Sequence, residues 1–264
     1  MNFFTPISIP RSEWPITYDD KLLLLGSCFV DNIARKLREY YFRVMVNPTG
    51  TLYNPVSIAR HIDLIAEHDV AIITFGTAWV YVDKATGEVV DNCQKRPASD
   101  FIRRRLSVEE IVELWQSVVE KYANKRFVFT VSPIRHLKDG LHENQLSKAT
   151  LLLAIEKIST INCQLSTISY FPSYEILMDE LRDYRFYASD MMHPSETAID
   201  YIWERFEETY LYKDESRETM RELHQLYLDR NHRPLYPDSD DYRRFQAATE
   251  ARAEELRKHY PWIE

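Results

Sequence analysis

Short apolar runs alternate along this chain with longer stretches in which apolar residues recur every three or four positions. The run Leu22–Leu25 reads as a first strand. Val30–Tyr40 follows as a helix with Val30, Ile33, Ala34 and Leu37 on one face. Val44–Val46 predicts a short strand ending in the turn Asn47-Pro48-Thr49-Gly50. Asn54-Pro55 opens a second helix that runs to about Glu67. Val70–Phe75 is apolar and β-branched, as expected of a strand buried on both faces. Trp79–Val82 and Glu88–Val90 flank Lys84-Ala85-Thr86-Gly87 and predict a hairpin. Ser107 and Glu110 form a capping box, and the helix it opens carries Ile111, Leu114, Trp115, Val118 and Tyr122 at helical spacing. Phe127–Val131 and Ile168–Phe171 read as strands, and Ser147 to about Ile161 as an amphipathic helix. Pro194 to about Tyr210 reads as a helix with Pro194 at its first position and Ile199, Ile202, Trp203 and Phe206 facing inward.

Strand and helix in alternation imply an α/β fold: a three-layer α/β/α sandwich around a mostly parallel sheet. The last fifty residues change character. They are dense in Glu, Arg and Asp and predict two helices separated by Arg233-Pro234-Leu235-Tyr236-Pro237, packed by Leu223, Leu226, Tyr227 and Phe245. Residues 1–212 therefore read as one domain. Residues 213–264 read as an appended helical segment, a cap or a contact between copies in a homo-oligomer.

Composition narrows the function classes. The chain has 264 residues, 45% apolar and 28% charged, enough for a sizeable core. A formal net charge of −8 argues against a nucleic-acid partner. The local basic run Arg103-Arg104-Arg105 reads as a solvated loop or helix entry. Cys28, Cys93 and Cys163 are widely spaced with no CxxC pair, so no structural zinc site is expected, and free thiols fit a reducing compartment. No apolar segment approaches the ~20 residues that span a bilayer. The first residues, MNFFTPISIPRSEWPI, do not read as a signal peptide, so a cytoplasmic protein without membrane contact is expected.

In parallel α/β folds, ligands bind beyond the carboxyl ends of the strands. Of only five glycines, Gly26, Gly50 and Gly76 fall at or just after predicted strand ends. Gly26-Ser27-Cys28-Phe29 follows the first strand. A side chain there faces the free N–H groups of a helix N-terminus, which suits a nucleophile but equally a plain helix cap. Asp190-Met191-Met192-His193-Pro194 lies before the last helix of the α/β unit. Asp-x-x-His on one short loop supplies a base and the acid that orients it; alone, it is equally a helix-terminus charge and a packed histidine.

Together these segments resemble the GSCFA-domain family, itself related to the SGNH/GDSL hydrolases and to the PC-esterases. The resemblance rests on Gly26-Ser27-Cys28-Phe29 with Val30, on Thr74-Phe75-Gly76-Thr77-Ala78-Trp79, on Thr130-Val131-Ser132-Pro133-Ile134-Arg135-His136, and on Asp190–Pro194. It covers roughly residues 20–210. It implies an SGNH-like sheet and an ester hydrolase or acyltransferase with no cofactor and no metal. Ser27 is then the nucleophile, His193 the general base and Asp190 its orienter. Gly76 falls where the superfamily places an oxyanion-hole glycine. The Gly-x-Asn-Asp block that normally contributes an asparagine is absent, which leaves Ser132, Arg135 or Asn92 to complete the oxyanion hole.

The superfamily's Gly-Asp-Ser is Gly-Ser-Cys here. Shifting the turn by one residue would make Cys28 the nucleophile; otherwise its backbone N–H is an oxyanion donor. The superfamily layout favours Ser27. Trp79 and His136 are pocket candidates beside their readings as core and surface residues, and Arg135 is a candidate for a substrate carboxylate or phosphate. Relatives act on acetylated carbohydrates, so a small-molecule or carbohydrate ester is the implied substrate. The alternative is an inactive SGNH-like module that binds such an ester.

Overall fold

The computed structural model describes residues 5–91, 96–161, 167–212 and 214–263. Five parallel strands make the main sheet: β1 (Lys21–Gly26), β2 (Arg43–Val46), β3 (Val70–Phe75), and, later in the chain, β6 (Arg126–Val131) and β7 (Ile168–Tyr170). Their spatial order is β2-β1-β3-β6-β7. Register sets Gly26 beside Thr74 and Thr74 beside Thr130, so the carboxyl ends of the three central strands finish level.

The two faces of the sheet follow from the period of two along each strand. Leu22, Leu24, Val70, Ile72 and Val128 face one side. There they meet α1 (Phe29–Glu39), α6 (Glu196–Tyr210) and α7 (Asp214–Arg230). Leu23, Leu25, Ala71, Ile73, Phe127 and Phe129 face the other. They pack on α2 (Pro55–Arg60), α3 (Val108–Lys121) and α4 (Leu141–Ile161). This is the three-layer α/β/α sandwich that the alternation of runs predicts.

Three local expectations are corrected. The predicted second helix divides at His61 into α2 and a 3₁₀ turn, Ile62–Glu67. β4 (Trp79–Asp83) forms the predicted hairpin with Glu88–Val90 only briefly, through a Val82–Val89 bridge flanked by the Asp83 N–H to Glu88 C=O and Val90 N–H to Tyr81 C=O bonds, both at 2.8 Å, and its longer ladder lies elsewhere. Its partner is β5 (Phe101–Arg105), antiparallel, so Arg103-Arg104-Arg105 is strand rather than loop. Alternation explains it: Phe101 is buried, while Arg103 lies over the Trp79 ring at 3.8 Å and pairs with Asp139. Finally, α6 is capped by Ser195, whose Oγ accepts from Ala198 N–H at 3.3 Å, so Pro194 precedes the helix instead of opening it.

The C-terminal helices α7 and α8 (Asp240–Arg257) form an antiparallel pair joined by Arg230–Glu250 and Arg252–Asp229 ion pairs. Met220, Leu223, Leu226, Ala253 and Ile263 are buried in the same core as α1 and α6. Tyr40 stacks on His224 at 4.3 Å, and Trp262 Nε1–H donates to the Tyr41 carbonyl at 2.8 Å. Phe245 lies apart from that core, against His232 and Tyr242. Among the described residues, no helix is long and apolar enough to cross a membrane.

Candidate active site

The site is built where the three level strand ends turn over. β1 ends at Gly26 with φ +142°, and a Cβ there would stand 2.2 Å from the Thr74 carbonyl oxygen. Only glycine lets the chain leave β1 this close to β3. Gly26→Ala is expected to lower stability by roughly 3–5 kcal/mol, read as a drop in thermal midpoint.

The next two side chains diverge. Ser27 is 1% exposed. Its Oγ accepts from Phe29 N–H at 3.4 Å, and its Cβ lies 3.1 Å from where a Cβ on Gly76 would sit. Ser27 therefore points inward, and among the described residues no hydrogen bond joins it to His193. Cys28, the residue that caps α1, opens into a cavity of about 580 Å³, with Sγ 3.6 Å from His193 Nε2. It is thus the sulfur, not the Ser27 hydroxyl, that the structure brings to the imidazole. Cys28 stands at the third position of Gly-Ser-Cys, where Gly-Asp-Ser has its serine, and Ser27 fills the space beside Gly76.

His193 is held by its own loop. Asp190 Oδ1 accepts from the N–H groups of Met192 and His193 at 2.9 and 3.0 Å, while its Oδ2 lies 2.5 Å from His193 Nδ1. These backbone donors and the imidazole draw the Asp190 carboxyl down to about 2, so it stays ionised. A carboxylate only accepts, so Nδ1 carries the proton and Nε2 is left as the acceptor facing Cys28. Met191 takes φ +57°, and Arg135 fixes that bend: its Nη2 donates to the Met191 carbonyl and its backbone N–H to Met192 C=O at 3.2 Å. With its guanidinium also 4.2 Å from the Tyr187 ring centroid, Arg135 braces the loop, and it lines the same cavity as Cys28 and His193.

Burial and the nearby Asp31 raise the Cys28 thiol above its ordinary value, against the opposing influence of its own backbone N–H and of Lys148. The sulfur therefore rests as a thiol and needs a base to become a nucleophile.

The remaining sequence candidates fall as follows. Gly76 N–H donates to the Tyr53 carbonyl at 2.9 Å and is committed, so it does not serve an oxyanion. Ser132 is fully buried, its Oγ accepting from Ile134 N–H, and it does not line the cavity. Asn92 lies outside the described residues. Trp79 and His136 do line the cavity, and burial pushes His136 down to about 4, so it is neutral.

Two lining residues carry chemistry that sequence reasoning missed. Asn54 caps α2 through Oδ1, which accepts from Ser57 N–H at 2.9 Å, and Nδ2 donates to Ser57 Oγ at 3.0 Å. A second Nδ2 hydrogen remains, with no partner among the described residues. Tyr53 sets its ring edge-on to His136 at 6.2 Å. In the sequence Asn54-Pro55 marks only the opening of a helix, and nothing local shows that the amide also lines a cavity.

The family model described as "GSCFA family" matches residues 21–69 and 63–206, and "GSCFA domain protein, C-terminal domain" matches 223–264. No curated protein matches the chain significantly. Among solved structures, a GDSL-like lipase from Bacteroides thetaiotaomicron is 12% identical with a TM-score of 0.49, over 74% of this chain and 89% of that one. A lipase/acylhydrolase from Enterococcus faecalis is 13% identical with a TM-score of 0.45, over 76% and 95%. A catalytic mutant of an acetylxylan esterase from Geobacillus stearothermophilus is 13% identical with a TM-score of 0.47, over 76% and 98%.

Proposed function

This chain belongs to the GSCFA family, and from that premise we propose that it is an SGNH-like ester hydrolase or acyltransferase whose nucleophile is Cys28. One observation carries the reading: Cys28 Sγ, His193 Nε2, His193 Nδ1 and Asp190 Oδ2 follow one another at 3.6 and 2.5 Å across the open cavity. Thiol, base and orienter in that sequence are what covalent acyl transfer requires.

The chemistry runs in two halves. His193 Nε2 takes the Cys28 proton as sulfur attacks the ester carbonyl. The C–O bond breaks, the imidazolium returns its proton to the departing alcohol oxygen, and a thioester remains on Cys28. Water or an acceptor alcohol then gives its proton to Nε2 and attacks the thioester. The C–S bond breaks and the proton returns to sulfur. Asp190 steadies the imidazolium in both halves.

The developing oxyanion has two donors within this site. The Cys28 backbone N–H has no other backbone partner among the described residues, and the spare Asn54 Nδ2 hydrogen faces the same cavity. Asn54→Ser keeps a helix cap but is too short to reach. It is expected to lower turnover about 10²-fold with little change in thermal midpoint. An unchanged kcat removes Asn54 from the mechanism.

Trp79, Tyr81 and Tyr53 line the cavity, which is large enough for the alcohol part of a small or carbohydrate ester. The reading is tested by treating the protein with iodoacetamide and following p-nitrophenyl acetate hydrolysis. Loss of turnover in step with labelling mapped to Cys28 supports it. Absence of any turnover in the unlabelled protein would favour a module that binds esters without cleaving them.

A further inference from the structure

Lys148 sits on the apolar stripe of α4, one turn before Leu151, and is 1% exposed. An ammonium this deep is costly unless it is held. Lys148 makes no ion pair among the described residues. Its Nζ instead donates to two carbonyls, Gly76 and Ser132, each at 2.7 Å. Those carbonyls belong to the turns that follow β3 and β6, level with the turn after β1 that carries Cys28. A Cβ on Gly76 would be 3.1 Å from Ser27, the residue beside Cys28, and Thr77 next to Gly76 lines the Cys28 cavity. The buried amine therefore lies against the turns that flank the one carrying Cys28. The proton relay of His193 and Asp190 does not use it.

We propose that Lys148 is a positioning residue of this site: it ties the turns after β3 and β6 together beside the one carrying Cys28, and its positive charge stabilises the thiolate as His193 removes the proton. The inference rests on the reading of Cys28 as nucleophile.

Electrostatics agrees in both directions. Lys148 favours the ionised form of Cys28, and Cys28 and Asp139 favour the charged form of Lys148. Burial outweighs them and draws the ammonium down to about 7, so the charge is present below that pH and fades above it. The other groups facing this pair are Asp31 and Asp190, which oppose the thiolate, neutral His136, and the Tyr174 ring 5.7 Å from Nζ.

The test reads the thiol itself. Alkylation of Cys28 by iodoacetamide, mapped by mass spectrometry, is measured against pH in a chain carrying His193→Gln, so that the imidazole does not titrate. Adding Lys148→Met is expected to slow alkylation about tenfold near pH 6. The gap should close above about pH 9, where the native ammonium is already neutral. Equal rates at every pH, or a slowing by the same factor at every pH, would overturn the electrostatic role and leave a structural clamp. If the double variant does not fold, the His193→Gln profile decides alone. Its rate should fall below a single-thiol titration between about pH 7 and 9 as Lys148 discharges, and a clean single titration would overturn the proposal. These outcomes do not depend on turnover, whereas failure of the nucleophile reading appears as full esterase activity in Cys28→Ala.

Discussion

Cys28→Ala is expected to lose p-nitrophenyl acetate hydrolysis by about 10³-fold or more, while Ser27→Ala keeps most of it. The difference follows from where the two side chains point. Removing sulfur removes the nucleophile candidate that, among the described residues, stands 3.6 Å from His193 Nε2. Removing the Ser27 hydroxyl deletes an acceptor for Phe29 N–H at 3.4 Å, a long bond at the start of α1. Its effect falls on stability, by about 1 kcal/mol. The opposite pattern, an inert Ser27→Ala and an active Cys28→Ala, would return the nucleophile to oxygen.

Truncation after Tyr212 is expected to leave a chain that does not fold independently. The segment it removes buries Met220, Leu223, Leu226, Ala253 and Ile263 in the core shared with α1 and α6. Burying a large apolar side chain contributes about 1.5–3 kcal/mol, so four such residues outweigh the net stability of many domains. The cut also strips Trp262 from the Tyr41 carbonyl and from the Arg43 guanidinium that lies 4.4 Å from its ring. Insoluble expression, or loss of a cooperative thermal transition, is the predicted readout. A soluble, cooperatively melting fragment 1–212 with native turnover would make the C-terminal pair a separable appendage.

How much of this was legible depended on the range of the signal. Leu22–Leu25 and Val70–Phe75 are apolar without interruption because both faces of their strands are covered, and that property is local. The capping box at Ser107 and Glu110 is local too, and the structure contains both of its hydrogen bonds. The pairing of β4 with β5 was not local. The segment between them is long, and Glu88–Val90 offered a nearer but weaker partner. The Asp190–His193 contact could be anticipated because three residues on one turn place the carboxylate beside the imidazole.

The choice between Ser27 and Cys28 could not be read in the same way. Adjacent residues at a turn differ only in direction, and the room that Ser27 occupies is left by Gly76, about fifty residues away. Lys148 illustrates the remaining gap. A lysine among Ser147, Leu151, Ala154 and Ile155 on a buried stripe breaks the amphipathic pattern, and the two carbonyls that hold it lie at the ends of other strands. A local pattern marks such a residue as anomalous without identifying its partner.

The covalent intermediate is the most direct test. The native protein is mixed with p-nitrophenyl acetate, quenched in acid within the first turnover, digested and analysed by mass spectrometry. A single acetyl group on Cys28, labile to hydroxylamine as a thioester, is the predicted result. An acetyl ester on Ser27, with Cys28 unmodified, would contradict it.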